Sequence, residues 1–556
     1  MQIPQQPLVE VRDLRIGAVT DAGRQIEIIK GVSFDIAPGE IVALIGESGS
    51  GKTTIALSLM GHTRTGCTIN GGTIRLGNHQ VEAMTEAARA TLRGTEVSYV
   101  PQSAAAAFNP SQKIMDQVIE ITAIHNLMPR EQAEAKARDL FHALALPFAD
   151  TIGDRYPHQV SGGQLQRLAA AMALIGGPKL VIFDEPTTAL DVTTQIEVLR
   201  AFKSVMTAGG IAGVYVSHDL AVVAQIADRI IVLRGGEVQE SGATAQILDQ
   251  AQHPYTRQLL AAFEPVPHQP LDQPRAVLDR PVLEVVQLSA GYGQISHGVP
   301  AVKILKNISF KLERGRNLGV IGESGSGKST LARAVSGILP PYQGSVLFDG
   351  QEMAGDMRRR RKEDLRRMQI VFQLADTALN PSQAVGDIIG RPLSFYKGLR
   401  GAARDRRVNE LLDMVRLPAG LRHRLPGELS GGQKQRVNLA RALAAEPELI
   451  LCDEITSALD TVVAAAVIEL LKELQRELGL SYMFISHDLS TVEAICDDVL
   501  VMYKGEIVEE LPAAQMSVAA THPYSRLLIS SVPKLDPTWL DGLSQDPELL
   551  AAFSKR

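Results

Sequence analysis

Two glycine-rich segments of eight residues constrain the fold of this chain more than any other feature. GESGSGKT occupies residues 46–53, and GESGSGKS occupies residues 322–329. Each segment follows an apolar run and precedes a helical stretch, which is the strand, loop and helix order of a phosphate-binding loop. The glycines turn backbone N–H groups inward, the helix start adds partial positive charge, and the lysine reaches the outer phosphates. The sequence therefore predicts two sites for nucleotide phosphates.

The other motifs of the chain also occur twice and in the same order. Lys52 and Lys328 lie 276 residues apart, and later pairs lie 271 or 269 residues apart. Those later pairs are Gln102 and Gln373, Ser161 and Ser430, Asp184 and Asp453, His218 and His487, and His253 and His522. A period of this length is a whole domain used twice, because solenoid repeats are far shorter.

The proline-rich stretch between the copies sets the expected domain boundaries. Proline fixes φ and removes N–H donors, so this stretch is expected to be an extended linker rather than a helix. We expect a first domain over 1–262, a linker over 263–280, a second domain over 281–535 and a tail over 536–556.

Apolar runs of strand length alternate with amphipathic helical stretches in each copy, which predicts an α/β fold with a mostly parallel sheet. The continuous apolar runs at 180–183 and 449–452 end in an acidic pair and suit central strands that are buried on both faces. Residues 213–217 and 481–485 have the same character and end close to a His-Asp pair. Each copy is long enough to bury its own core.

Composition excludes several classes of protein. With 45% hydrophobic and 21% charged residues, the chain is typical of globular rather than disordered proteins. Its start lacks the basic and apolar regions of a signal peptide, and the longest apolar stretch, 168–175, is far shorter than a membrane span. The scattered Cys67, Cys452 and Cys496 indicate neither a disulfide framework nor a zinc or iron–sulfur site. The absence of a signal peptide and of a membrane span, together with this cysteine usage, leads us to expect a cytosolic protein. A formal charge of −6 gives no overall reason to expect nucleic-acid binding.

A second pair of motifs identifies the family. VSGGQLQR at 160–167 and LSGGQKQR at 429–436 stand at the starts of predicted helices. Small residues admit a phosphate there, and the serine and helix N-terminus offer donors and a dipole to an anion; a plain Ser-Gly-Gly helix cap is the alternative interpretation. With these motifs, the chain closely resembles the ATP-binding subunits of ABC transporters over essentially its full length, twice over.

The resemblance implies two tandem P-loop NTPase domains, each with a mostly parallel core sheet and flanking helices, an antiparallel β subdomain and a helical signature subdomain. In the first copy it assigns ATP binding to Gly46, Ser48, Gly49, Gly51, Lys52, Thr53, Thr54, Gln102, Ser161, Gly163 and Gln164. In the second it assigns Gly322, Ser324, Gly325, Gly327, Lys328, Ser329, Thr330, Gln373, Ser430, Gly432, Gln433 and Tyr292. The implied Mg²⁺ ligands are Thr53, Gln102, Asp184, Ser329, Gln373 and Asp453.

The resemblance also implies catalytic roles. Glu185 and Glu454 would polarise the attacking water as general bases, and His218 and His487 match the family's switch histidine. An acidic pair after a strand is otherwise often a helix-capping turn, and a lone histidine there is more often structural. Occurrence in both copies at equal spacing favours function, and we predict two hydrolytic sites.

Members of this family pack two such domains head to tail around the nucleotides. Lys52 would therefore face Ser430, and Lys328 would face Ser161. Asp191 and Asp460 match the loop that couples the two sites. Because one chain carries both domains, their effective concentration is raised to about the millimolar range.

The two halves differ at positions that bear on ATP. Tyr292 occupies the place where the family stacks an aromatic ring on adenine, although an ordinary loop tyrosine is an equal alternative. Ala18 occupies that place in the first half, and Ile455 replaces Pro186 in the second.

Two short stretches narrow the resemblance to one branch of the family. The His-Pro-Tyr segments at 253–260 and 522–528 and the Asn-Pro pairs at 109–110 and 380–381 resemble ATPases of oligopeptide, dipeptide, glutathione and nickel importers. This implies a fused ATPase subunit of a peptide importer that docks on two integral-membrane permease subunits served by a periplasmic binding protein. It would lie at the cytoplasmic face of the inner membrane and contact neither nucleic acid nor cargo.

The permease contacts are expected at the Q-loop segments and at 156–159 and 425–428. Two ATP molecules would close the domains and turn the permeases outward, and hydrolysis would reopen them. The basic run at 358–362 is expected to be a solvated helix face rather than a nucleic-acid site.

Other functions remain as alternatives. A soluble twin-ATPase translation factor acting on ribosomes is disfavoured by the short proline-rich linker, and an exporter ATPase is disfavoured by the His-Pro-Tyr segments. A DNA-repair ATPase would need zinc-ligand cysteine pairs, which the three scattered cysteines do not form. Nickel or glutathione is the alternative cargo within the importer branch.

Overall fold

The computed structural model describes residues 6–19, 25–187, 190–263, 280–296, 298–457 and 459–543. The chain divides into two compact units. The first consists of residues up to Ala261 and of the segment that begins at Pro533, and the second runs from Ala262 to Val532. The predicted linker, apart from its two end residues, and the tail beyond residue 543 lie outside the described residues.

The elements of the first unit alternate between strands and helices. Its strands are β1 (Val9–Val19), β2 (Gln25–Ile36), β3 (Ile41–Gly46), β4 (Cys67–Leu76), β5 (His79–Gln80), β6 (Val97–Val100), β7 (Leu180–Asp184), β8 (Ala212–Val216), β9 (Arg229–Arg234) and β10 (Glu237–Ala243). Its helices are α1 (Lys52–Ser58), α2 (Glu86–Leu92), α3 (Ala104–Ala107), α4 (Ile114–Ile124), α5 (Arg130–Ala143), α6 (Gly162–Leu174), α7 (Val192–Gly209), α8 (Leu220–Ile226), α9 (Thr244–Gln250) and α10 (Pro254–Phe263).

The main sheet of the first unit has the strand order β10-β9-β3-β8-β7-β6. β3 pairs in parallel with β8 and β9, and β7 pairs in parallel with β6 and β8, whereas β10 is antiparallel to β9. Strands β3, β7 and β8 are buried along their whole length, as predicted for continuous apolar runs covered on both faces. Because they run in parallel, their carboxyl ends meet at one edge of the sheet.

A four-stranded antiparallel sheet of order β2-β1-β4-β5 forms a second layer. Its inner face contributes Val11 and Ile29 to the same hydrophobic core as Leu44 of β3 and Ile55 of α1. Helices α3 to α6 form a helical subdomain between β6 and β7. The predicted fold class, with its antiparallel and helical additions, is therefore confirmed.

The second unit repeats this architecture. Its main sheet has the order β16-β17-β18-β13-β19-β20, and its antiparallel sheet has the order β12-β11-β14-β15. The strands are β11 (Leu283–Ser296), β12 (Val299–Leu312), β13 (Asn317–Ile321), β14 (Gln343–Phe348), β15 (Gln351–Glu352), β16 (Met368–Val371), β17 (Leu449–Asp453), β18 (Ser481–Ile485), β19 (Asp498–Tyr503) and β20 (Glu506–Pro512). The helices are α11 (Lys328–Val335), α12 (Lys362–Arg367), α13 (Ala375–Ala378), α14 (Val385–Lys397), α15 (Gly401–Met414), α16 (Gly431–Leu443), α17 (Thr461–Leu478), α18 (Leu489–Ile495), α19 (Met516–Ala519) and α20 (Pro523–Ser530).

The segment from Pro533 belongs to the first unit and contains a short helix, α21 (Trp539–Gly542). Gln225 of α8 is buried and holds this segment by its side chain. Its amide nitrogen donates to the carbonyls of Lys534 and Asp536 at 2.6 and 3.0 Å, and its amide oxygen accepts from the N–H of Leu540 at 2.9 Å. The segment had been expected only as a tail without an assigned contact.

The basic run at 358–362 differs from its prediction. Residues 357–359 form a single 3₁₀ turn, α12 begins at Lys362, and Arg360 between them is buried. The Arg360 guanidinium donates to the carbonyls of Val335 and Ala354, at 2.8 and 2.9 Å. The prediction of one solvated helix face is therefore wrong for Arg360, which satisfies backbone carbonyls inside the unit.

Over the residues that the structure describes, no helix is both long enough and apolar enough to cross a membrane.

Candidate functional site

Each phosphate loop connects the end of a central strand to a helix and can be made only with glycine at its first position. Gly46 has φ of 149°, and a Cβ there would lie 2.0 Å from the carbonyl oxygen of Leu233. Gly322 repeats this, with φ of 148° and a Cβ position 2.3 Å from the carbonyl oxygen of Met502. Any side chain would force strand and loop apart, so the sequence motif reflects close backbone packing.

The lysine of each loop lies folded against the loop itself. Lys52 is 6% exposed, and its ammonium group donates to the carbonyls of Gly46 and Glu47 at 2.8 and 2.9 Å. Lys328 makes the same two contacts with Gly322 and Glu323, at 2.8 and 2.9 Å. The positive charge is thus held where the loop amides gather, which is where a phosphate binds.

The remaining loop residues continue toward α1 and α11. Ser48 and Gly49 are exposed at the loop tip, whereas Gly51 and Gly327 directly precede the helices. The corresponding exposed pair in the second unit is Ser324 and Gly325. Thr54 and Thr330 follow the hydroxyl residues Thr53 and Ser329 in the first turns of α1 and α11.

A hydroxyl group and a carboxylate meet at the end of each loop. Thr53 Oγ1 donates to Asp184 Oδ1 at 2.9 Å, and Ser329 Oγ donates to Asp453 Oδ1 at 2.8 Å. Burial raises the pKa of Asp184 and Asp453, while these hydroxyl contacts oppose the rise. A bound cation would therefore offset the free-energy cost of burying an ionised carboxylate. Mg²⁺ prefers oxygen ligands, and a hydroxyl and a carboxylate supply them here.

Tyr99 is a residue of the first site that the sequence analysis missed. Its hydroxyl donates to Asp184 Oδ2 at 2.9 Å. Ile370 stands at the corresponding position of the second half, three residues before the Q-loop glutamine. A comparison of the two copies at that position would have shown the difference, although a tyrosine before the Q-loop carries no signal by itself.

The predicted general base of the first site lies between the Q-loop and the switch histidine. Gln102 Nε2 donates to Glu185 Oε2 at 3.1 Å, and His218 Nδ1 lies 3.3 Å from Glu185 Oε1. Burial lowers the pKa of His218, but its contact with Glu185 outweighs that effect and raises the pKa overall. The carboxylate is therefore held by two side chains from different loops.

The second site repeats the arrangement. Gln373 Nε2 donates to Glu454 Oε2 at 2.8 Å, and His487 Nδ1 lies 3.5 Å from the same oxygen. The hydrogen bond with Glu454 raises the pKa of His487, and this contact lowers the pKa of Glu454 against the effect of burial. The second site therefore favours an ionised glutamate beside a protonated imidazole, and the first site favours protonation of His218 in the same way.

The signature motifs cap helices α6 and α16. Ser161 Oγ accepts from the N–H of Gln164 at 3.4 Å, and Gln164 Oε1 accepts from the N–H of Ser161 at 3.1 Å. Ser430 and Gln433 form the same reciprocal box, at 3.3 and 3.0 Å. The contacts of both motifs are therefore those of a helix cap, and the predicted role in phosphate binding stays a prediction. Both serines are exposed, while Gly163 and Gly432 lie in the first helical turns.

Asp191 and Asp460, predicted to couple the sites, are the N-caps of α7 and α17. Asp191 Oδ1 accepts from the N–H of Thr194 at 3.0 Å, and Asp460 Oδ1 accepts from the N–H of Val463 at 3.1 Å. A capping role accounts for these contacts and leaves the coupling role a prediction.

Tyr292 lies in strand β11 rather than in a loop. Its side chain is 39% exposed, and its hydroxyl lies 3.5 Å from Thr330 Oγ1 and 3.4 Å from an Arg333 guanidinium nitrogen. These contacts place an exposed aromatic ring beside the helix that follows the second phosphate loop. Its counterpart Ala18 lies in β1.

Comparison with known proteins gives matches to two family models and to full-length relatives. The model described as ABC transporter matches residues 29–188 and 305–457, and the model described as oligopeptide/dipeptide transporter, C-terminal region, matches 239–291 and 508–555. The chain is 37% identical to the glutathione import ATP-binding protein GsiA of Salmonella choleraesuis (strain SC-B67), over 97% of this chain and 91% of that protein. It is 36% identical, with the same coverage, to GsiA of Pectobacterium atrosepticum (strain SCRI 1043).

Among solved structures, cbiO1 from Clostridium perfringens, part of the ABC transporter complex cbiONQ, aligns at 30% identity with a TM-score of 0.38. The alignment covers 42% of this chain and 90% of that one. The ABC transporter model alone spans more than half of this chain, and the relatives align over nearly all of it. The chain therefore belongs to the ABC transporter family, as an ATP-binding ATPase with two nucleotide-binding domains.

Proposed function

We propose that the chain is the ATP-hydrolysing subunit of an importer for small peptides. The observation that carries this proposal is the match to the C-terminal region of oligopeptide and dipeptide transporters, which follows each match to the ABC transporter model. The full-length relatives are named for the import of glutathione, itself a tripeptide. Oligopeptides and dipeptides are the cargo we propose, with glutathione or nickel as the alternatives.

Mg²⁺ fits both sites. Thr53 with Asp184, and Ser329 with Asp453, would hold the ion, and the glutamines of the Q-loops would complete its surroundings. When bound with ATP, the ion neutralises charge on the outer phosphates.

In each site, different side chains have separate roles in hydrolysis. Glu185 and Glu454 accept a proton from the attacking water, and the lysines stabilise negative charge on the γ-phosphate. The histidines hold the glutamate carboxylates in position through the contacts at 3.3 and 3.5 Å. This assignment is supported by the same set of partners around both glutamates.

The signature serines would complete the sites. In our proposal Ser430 binds the γ-phosphate held by Lys52, and Ser161 binds the one held by Lys328. The exposed position of both serines at the starts of 13-residue helices supports this role, because the helix N-terminus favours an anion. ATP binding would close the domains and hydrolysis would reopen them.

Two membrane permeases and a periplasmic binding protein are the proposed partners, at the cytoplasmic face of the inner membrane. Leu374 follows the second Q-loop glutamine and is 51% exposed, and Leu425 precedes the second signature and is 43% exposed. Both lie in the segments expected to meet the permeases. Their place in these segments is what supports the proposed contact, since single exposed leucines are common on protein surfaces.

Co-purification from the native cells tests this proposal. The tagged full-length chain, extracted in mild detergent, should bring down two polytopic membrane proteins that mass spectrometry can identify. The double variant Leu374→Asp, Leu425→Asp should recover less of them because it places charge in the docking segments. Val518→Asp is the matched control, since Val518 is exposed and lies outside those segments. Ribosomal proteins without a permease would contradict the importer and favour the translation-factor alternative.

A further inference from the structure

The His-Pro-Tyr segments contact the phosphate loops through their tyrosines. Tyr255 is the second residue of α10, and its hydroxyl accepts a hydrogen bond from the backbone N–H of Glu47 at 3.1 Å. Tyr524, at the same place in α20, accepts from the backbone N–H of Glu323 at 2.9 Å. Each glutamate is the second residue of its phosphate loop. A C-terminal motif and a nucleotide-binding loop, more than 200 residues apart in sequence, therefore meet twice in the same way.

The ring of each tyrosine is fixed by its neighbours. Tyr255 and Tyr524 are buried, and the Arg234 guanidinium lies 4.7 Å from the centre of the Tyr255 ring. In the second unit, the ring of Tyr503 lies 4.4 Å from that of Tyr524. An aromatic or cationic neighbour at this distance orients a ring. The hydroxyl therefore reaches the loop from a rigid support.

The histidine and proline of the motif set the start of the helix that carries the tyrosine. His253 Nδ1 accepts from the N–H of Tyr255, and His522 Nδ1 accepts from the N–H of Tyr524, both at 3.2 Å. Proline occupies the first helical position, where its missing N–H has no cost. Each of the three residues thus has a separate part in aiming the tyrosine at the loop.

A glutamate from the edge strand anchors the segment to the main sheet. Glu240 of β10 accepts from the N–H groups of Gln252 and His253 at 2.8 and 3.1 Å. Glu509 of β20 accepts from the N–H groups of residues 521 and 522 at 2.7 and 3.1 Å. Burial would raise the pKa of Glu509, but the nearby hydroxyls of Ser525 and Thr521 and the backbone N–H groups outweigh it and lower the pKa to about 2.

The peptide groups around the loop glutamate are held from both sides. In the first unit the N–H of Glu47 donates to Tyr255, while its carbonyl accepts from Lys52 at 2.9 Å. The second unit has the same pair of contacts at Glu323. A lysine that turns from these carbonyls to a phosphate loses its hydrogen bonds to the loop backbone. The tyrosine contact involves a different atom and can persist.

We propose that Tyr255 and Tyr524 are positioning residues for ATP, which hold the first turn of each phosphate loop in its binding conformation. The inference rests on the nucleotide-binding part of the proposed function and is independent of the cargo and of the permeases. It gives the His-Pro-Tyr motif a role inside the ATPase domain. The hydroxyl contacts the backbone of the phosphate loop, whereas Glu185 and Glu454 are held by the Q-loop glutamines and the histidines. Its effect therefore falls on ATP binding and not on the chemical step.

The test compares two tyrosine-to-phenylalanine changes in the second unit of the full-length chain. Tyr524→Phe removes the hydroxyl from the loop and keeps the ring. Tyr482→Phe is the control, because Tyr482 is equally buried and its hydroxyl donates to the carbonyl of Leu471, at 3.2 Å. Both changes are made in the Glu185→Gln, Glu454→Gln background, where bound ATP persists. Hydrogen exchange of loop peptides against MgATP concentration then reports each site separately.

We expect Tyr524→Phe to raise the half-saturating MgATP concentration of loop 322–329 by about 2- to 10-fold, the usual worth of one neutral hydrogen bond. Loop 46–53, and both loops of Tyr482→Phe, should keep their wild-type values. In the hydrolysing chain, Tyr524→Phe should raise KM for ATP and leave kcat unchanged. A loop 322–329 that titrates as in the wild type, or an equal effect of Tyr482→Phe, would overturn the inference. Absence of protection by MgATP in the parent chain would instead contradict nucleotide binding itself.

Discussion

Tyr99 gives the first site a side-chain contact that the second site lacks. Its hydroxyl donates to Asp184 at 2.9 Å, and Ile370 stands at that position in the second half. Groups that orient a metal-binding carboxylate typically contribute about 10- to 100-fold to metal affinity. We therefore expect Tyr99→Phe to raise the Mg²⁺ concentration needed for hydrolysis at the first site by about 10-fold. The measurement is the Mg²⁺ dependence of ATP hydrolysis in a Glu454→Gln background, where only the first site keeps its predicted general base.

Tyr482→Phe, which removes a buried hydroxyl in the other unit, is the control for that experiment. Equal Mg²⁺ dependence in Tyr99→Phe and the parent would show that the tyrosine does not support the metal site.

The His487 pair makes a pH-dependent contribution to stability. The hydrogen bond with Glu454 raises the pKa of His487 above the ordinary value, so the folded state favours the protonated imidazole. This stabilisation is fully present below the ordinary histidine pKa and is lost as pH rises through the raised value. We expect the difference in Tm between wild type and His487→Gln to shrink as pH is raised from slightly acidic to alkaline. His423→Gln, on the exposed surface, is the control. A difference that grows with pH would contradict the pairing.

The motifs predicted residue types at the sites but not how the backbone presents them. Glu185 and Glu454 have φ of 47° and 48°, a conformation that costs non-glycine residues about 1–3 kcal/mol. Their N–H groups donate to the ends of the neighbouring strands, at Val216 and Ile485, which holds them in place. The stabilising contacts come from residues about 31 positions away, so no local pattern signals the strain. Tyr99 was missed for the same reason.

The C-terminal helix α21 packs against two helices of the first unit. Leu540 of α21 is buried, and Asp541 forms an ion pair with Lys203 of α7 at 2.8 Å. Gln225 of α8 holds the same segment through three hydrogen bonds. Helices α7 and α8 follow their N-caps Asp191 and Asp219. Asp191 lies in the loop predicted to couple the sites, and Asp219 follows His218, the predicted switch histidine. The segment thus contacts the two helices that follow the loops predicted to act in coupling and catalysis.

Disrupting this contact should loosen the first unit. Leu540→Asp removes a buried leucine, worth about 1.5–3 kcal/mol, and introduces a charge. We expect faster hydrogen exchange in α7 and α8 and a lower unfolding temperature, with α17 and α18 unchanged. Val518→Asp adds the same charge at an exposed position and should have no such effect. Wild-type exchange in α7 and α8 of Leu540→Asp would refute a supporting role for α21.

Elements were predictable where their pattern is local. The strand interpretation at 180–183 and 449–452 is confirmed within one residue, because an apolar run buried on both faces needs no distant partner to be recognised. The structure of the basic run at 358–362 could not be predicted in this way, because the burial of Arg360 depends on the distant carbonyls of Val335 and Ala354. The docking of α21 depends on Gln225 and on Arg200, whose guanidinium donates to the carbonyl of Leu540 at 3.5 Å. Ala494 and Glu469 replace these two residues in the second copy.

The whole molecule consists of two copies of one architecture that differ at single residues and in the segment after Val532. The repeated motifs lead to two units with the same strand order and the same glutamine contact with the predicted general base. Duplication was visible in the sequence because motif spacing is preserved. The differences arise at single positions, such as Tyr99, and in the segment after Val532, where no repeat exists to compare. They predict two sites that both hydrolyse ATP with different metal dependence.

Phosphate release by the purified full-length chain tests most directly the claim that both halves are hydrolytic. The rates to compare are those of the wild type, Glu185→Gln, Glu454→Gln and the double variant, with the exposed Glu506→Gln as control. A positioned general base is typically worth about 10²–10⁴-fold. We expect each single variant to lose the share of the rate that its own site contributes, and the rate of the double variant to fall by about 10²–10⁴-fold. A double variant that hydrolyses ATP at the wild-type rate would contradict it.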